Sequence, residues 1–188
     1  MCLPYFDGLR GGLHERKTVD ERGAMAIRLS KCVLILGIAL FCSLVVFNNL
    51  TDYDSNFQFV RHVLQMDTTF PGNKGMWRAI NSPWVHVAAY DLIILWEALT
   101  SLVLWWGFVR LARTVQGTAR EFDVAKAQSV AGLTMGILLW FVGFIAVGGE
   151  WFLMWQSKTW NGQDAAFRLV VALGIVLLYV VMPEREDA

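Results

Sequence analysis

Four stretches of this chain, about Met25 to Phe47, Pro83 to Arg110, Lys126 to Trp155 and Ala165 to Met182, are apolar over close to the roughly 20 residues a helix needs to cross a bilayer. Inside hydrocarbon the backbone must satisfy its own N–H and C=O groups, so each stretch predicts a helix and the chain predicts an all-α bundle of four transmembrane helices. Composition agrees. Of 188 residues, 56% are hydrophobic and only 17% charged, where a soluble domain carries about a quarter charged. Lysine plus arginine balances aspartate plus glutamate at 16 each. No basic, aromatic-interleaved groove is present, which argues against nucleic acid as a partner.

The first span has a basic flank in Arg28 and Lys31, but the VVFNNLTD that follows it offers no small-residue cleavage site. It reads as a retained signal anchor. The preceding segment, residues 1–24, has paired glycines, mixed charge and no apolar period; it is expected to be a disordered tail, or sequence upstream of a true start at Met25. Eleven of the sixteen basic residues fall in the N-terminal segment, the middle loop and the C-terminal tail at 183–188. That bias predicts both termini in the cytoplasm of a bacterial inner membrane, and a periplasmic loop over 48–82. Cys32 and Cys42 lie roughly 15 Å apart along one helix, so free thiols are expected.

The long outer loop is expected to be structured. Ser55 with Gln58 is a capping-box pattern, and Phe57, Val60 and Leu64, with Phe59, Val63 and Met66, recur at helical spacing. A short amphipathic helix is predicted there, lying at the interface or folded over the bundle; a lid or partner-docking role is the other reading. Ser82 followed by Pro83 predicts the start of the second span.

Away from the basic residues near the span ends, the spans carry Asp91 and Glu97 on the second, Glu150 on the third and Arg168 on the fourth. A lone charge at the centre of a membrane costs about 2.5–3.5 kcal/mol on insertion scales, so such groups pair or face water. Asp91, Glu150 and Arg168 are expected at similar depth in the outer third, with Arg168 pairing Asp91, Glu150 or both. At 100° per residue, Gly132, Gly136, Gly143 and Glu150 share one stripe of the third span, which predicts a close helix contact carrying Glu150 on a packed face. Glu97 lies mid-span with no evident cation. Desolvation favours its neutral form, and His86 and Tyr90 are expected to be too far up the helix to reach it without water.

Catalytic patterns are missing. The histidines are His14, His62 and His86, with no facing pair for a haem, and no CxxC, HExxH, P-loop or nucleophile-elbow motif occurs. No enzyme activity, cofactor or metal is expected, and the tryptophans read as interfacial belts.

FNNLTDYDSNFQFVRHVLQMDTTFP with the following MWRAI, the Trp96–Glu97 pair, and GEWFLMWQSKTWNGQDAAFR resemble a family of predicted small bacterial integral membrane proteins of uncharacterised function. The likeness runs from about Met25 to Met182. It implies a four-span inner-membrane protein and brings no activity or catalytic residue with it. Two functions are therefore expected: first, a non-catalytic accessory or scaffold subunit whose partners are the lipid bilayer and other membrane subunits or further copies of itself; second, a small transporter or proton-conducting unit built on Glu97.

Overall fold

The computed structural model describes residues 7–184, with side chains from residue 22. Every regular element among them is a helix: α1 Asp7–Thr51, α2 Tyr53–Gln65, α3 Pro83–Thr114, α4 Ala119–Ala125, α5 Ala127–Ile137, a π-helical segment Leu138–Trp151, α6 Gln163–Val181, and two short 3-10 turns at Met76–Arg78 and Met154–Gln156. Four are long and apolar enough to cross a membrane, namely Arg22–Thr51, Pro83–Thr114, Ala119–Trp151 and Gln163–Val181.

Local signals explain most boundaries. Ser82 stands at the N-cap of α3 with Pro83 in its first turn, although the cap is backbone only, the Ser82 carbonyl accepting from the N–H groups of Val85 and His86. The third span starts at Ala119 rather than near Lys126. Thr118 and Glu121 form a reciprocal capping box there, each side chain bonding the other's backbone N–H. The expected box at Ser55 and Gln58 does not form, because α2 begins earlier, at Tyr53, and Gln58 instead donates to Asp54 at 3.0 Å. The tail expected to be disordered is helical from Asp7 onward. Extending an existing helix needs no new nucleus, so α1 propagates back through these residues. Residues 1–6 and 185–188 lie outside the described residues.

α1 packs along α3, α3 along α5, and the third span along α6, whereas α1 and α6 make few direct contacts. Ser30 and Tyr179 join those two helices, 2.6 Å between hydroxyls. Cys32, Ile35, Leu104, Leu111, Leu133 and Val180 belong to a closed apolar core near the end of the bundle that carries the 115–118 turn and Glu184, called here the tail end.

The opposite end, called the loop end, is bound together by its own contacts. Arg78 lies over the rings of Trp77 and Trp151 and donates to the Trp151 carbonyl at 3.0 Å. Thr68 and Ser157 hydroxyls meet at 2.7 Å, and Gln156 accepts from the Phe70 N–H at 3.1 Å. α2 folds over this end. Val60 packs with Tyr90 and Ile94 of α3, and Phe59 stacks on Phe144 of the π segment.

Candidate functional site: a carboxyl in an aromatic cleft

Glu97 sits on the inward stripe of α3 and is 5% exposed. Its Oε2 accepts a hydrogen bond of 2.6 Å from Asn49 Nδ2, in the last turn of α1. Asn49 in turn accepts from Asn56 Nδ2 of α2 at 2.7 Å, so three helices meet in one polar chain. Glu97 lies 14 residues after Pro83, roughly 21 Å along the helix. α1 therefore ends well short of the start of α3, and α2 packs against the exposed upper part of α3.

Beside Glu97 the bundle opens into a cleft of about 240 Å³. α1 contributes Val45 and Asn49, α2 Phe59, α3 Tyr90 and Glu97, and the π segment Trp140 and Phe144. α1 and α6 make few direct contacts, and Val45 and Asn49 of α1 and Ala165 of α6 stand on the walls of this space. Tyr90 is 1% exposed, and its hydroxyl has no hydrogen-bond partner among the described residues. A buried phenol without a partner is costly, and the polar side chain that neighbours this one is Asn56 of α2. Tyr90 and Glu97 thus border one space, and no direct hydrogen bond joins them among the described residues, as expected for two positions seven apart on the helix.

The expected outer ion pair is not formed. Asp91 accepts from the Tyr53 hydroxyl at 2.8 Å, while Arg168 is exposed and its Nε donates to the Asp164 carbonyl at 3.1 Å. Matched depth did not bring them together, because α6 packs mainly on the third span and α3 lies across the bundle from it. Burial and the Asp91 carboxylate push the Tyr53 phenol up to about 12, which keeps it a hydrogen-bond donor at neutral pH.

Glu150 is exposed rather than packed. Of the glycines expected to line the same stripe, a Cβ on Gly132 would stand 2.7 Å from Leu104 and one on Gly136 3.0 Å from Leu173, so both mark close helix contacts. Gly143 is exposed and its Cβ would meet only Leu139, at 3.6 Å. The stripe fails beyond Leu138 because bonding changes there from i→i+4 to i→i+5. A π-helix turns less per residue, so an angle accumulated at 100° per residue drifts off the face.

A second charged cluster, at the tail end, was not anticipated. The Glu184 carboxylate lies 2.6 Å from Lys31 Nζ, 2.8 Å from Lys126 Nζ and 3.4 Å from Arg28 Nε. Asp123 bonds Lys126 at 2.6 Å and accepts from the Glu184 N–H, and Arg28 also donates to the Gly117 carbonyl at 2.7 Å. The same depth-matching argument applied to the inner ends of the spans would have brought Arg28, Lys31 and Lys126 together.

In comparison with known proteins, residues 27–183 match a family described as predicted small integral membrane protein (DUF2165). No curated protein and no solved structure matches.

Proposed function

The chain belongs to this family of predicted small integral membrane proteins, and on that premise we propose that it is a non-enzymatic solute-binding unit working through Glu97, of carrier rather than channel type. One observation carries the reading: Glu97 is buried against a cleft with an amide as its partner, whereas the buried lysines and arginine at the tail end are matched by Glu184. A buried acid without a cation is an expensive feature to retain for packing alone. Toward the tail end from Glu97, Leu104, Leu111 and Leu133 are fully buried, and this packed core supports a carrier rather than a continuous channel. The distribution of basic residues supports cytoplasmic termini in a bacterial inner membrane, with the cleft nearer the periplasmic end.

The test is flux of protons or solute into liposomes containing the purified protein. Glu97→Gln should abolish it; flux unchanged by that substitution would sink the carrier reading. Exposed Asp91, Glu150 and Arg168 favour a second reading, an accessory subunit whose neighbour covers these charges. Gentle extraction should then recover stoichiometric partners, and Glu97→Gln should leave their binding intact.

A further inference from the structure

The chemistry of the cleft walls narrows what Glu97 can receive. Its Oε2 is taken by Asn49, and none of the described residues donates to its other oxygen. Tyr90, farther up α3 on the same cleft wall, is buried with its hydroxyl toward the Asn56 amide of α2. The rest of the wall is apolar and rich in aromatic rings: Phe59 stacks on Phe144 with centroids 6.1 Å apart, and Trp140 tilts against Phe144 at 4.6 Å. A carboxyl in a wall rich in aromatic rings can attract positive charge from two sources, the carboxylate itself and any ring face a bound cation reaches.

Other ligand classes fit less well. An anion would meet the carboxylate and find no cation lining the cleft. A bare calcium ion requires six to eight oxygens, and the cleft offers those of Glu97, Tyr90 and the two asparagines, of which Asn49 is already engaged on both sides. A neutral apolar molecule would leave the second carboxyl oxygen of Glu97 without a partner. A positive group wrapped in carbon resolves all of these, because it neutralises the carboxylate while its methyl or methylene surface meets the rings. The volume of about 240 Å³ gives room for a small molecule beside Glu97.

We propose that the cleft binds a small organic cation of the substituted-ammonium type, its charged head between Glu97 and the rings of Trp140, Phe144 and Phe59. This rests on the reading of Glu97 as the working group. It adds the class of ligand.

The experiment uses the full chain in lipid nanodiscs, titrated calorimetrically with choline, with tetramethylammonium, and with the neutral isostere of choline in which carbon replaces the quaternary nitrogen. Binding of choline, with at least about tenfold weaker binding of the isostere, is expected. Glu97→Gln should weaken choline by at least the same factor, and Trp140→Leu should weaken both cations while the unfolding temperature stays near that of the parent. Equal binding of choline and its isostere would overturn the proposal, and this comparison needs no variant to fold. So would failure of both cations to bind at millimolar concentration. If the cations fail while Glu97→Gln still abolishes flux in liposomes, the ligand class is wrong and the solute-binding reading stands; if neither effect is seen, both fall.

Discussion

Glu184 is the most heavily engaged acid among the described residues, with a side chain 3% exposed and three cations around it. Removing one member of a buried ionic cluster leaves the others uncompensated, which typically costs about 3–5 kcal/mol. Glu184→Gln should therefore lower the unfolding temperature in detergent strongly. Adding Lys31→Met should recover part of the loss, since the two residues share one interaction; strict additivity would show that the pair is not coupled. The same carboxylate sets an acid limit. Burial works against its ionised form, but hydrogen bonds from Lys126 and Lys31 and their charges outweigh that and hold its pKa below the usual carboxylate range. With the folded value depressed, the unfolded chain takes up the proton first as pH falls. The contribution to stability is thus whole above the ordinary glutamate value of about 4.3 and is lost as pH drops through the lower folded value. Unfolding temperature against pH should show this fall in the parent and a shallower one in Glu184→Gln; superimposable acid limbs would remove Glu184 from the explanation.

Among the elements, the four spans and the amphipathic α2 were legible, because apolar length and 3.6-residue spacing depend only on local sequence. Which faces meet was less legible. Gly107 passed unremarked in the sequence, yet a Cβ there would stand 2.5 Å from the Ser129 hydroxyl and 2.7 Å from its backbone nitrogen, so α3 and α5 touch backbone to backbone. Gly143, singled out by spacing, is exposed beyond the start of the π segment. Asn49 was assigned to the outer loop, and its bond to Glu97 became visible only once α1 was seen to continue to Thr51. The Asp91 and Arg168 pairing failed for a related reason: depth can be counted along a sequence, but the order of helices around a bundle cannot. These differences make a paired prediction. Gly107→Ala should cost about 1–3 kcal/mol through overpacking, whereas Gly143→Ala should stay within about 0.5 kcal/mol. Thermal unfolding of the two variants side by side checks it, and equal effects would mean that the α3–α5 contact is looser than described.

The two ends of the molecule are held differently. Near the tail end α1, α3, the third span and α6 share the apolar core and the Glu184 cluster, while near the loop end α1 and α6 separate around Glu97 and α2 covers the gap. Two native thiols report on the two halves. Cys32 is 5% exposed within the tail-end core, and Cys42 is half-buried and borders a small void together with Glu97 and Thr100. In a Cys2→Ser background, a small uncharged maleimide should therefore modify Cys42 well before Cys32, because only the upper half of the bundle offers a route inward. Peptide mass spectrometry over a time course separates the two sites. Widening the core with Leu104→Ala, at a cost of about 2–5 kcal/mol, should bring the Cys32 rate toward that of Cys42. Equal rates in the parent protein would show that the layer formed by Leu104, Leu111 and Leu133 does not close the path, and a one-sided cleft would no longer describe the molecule.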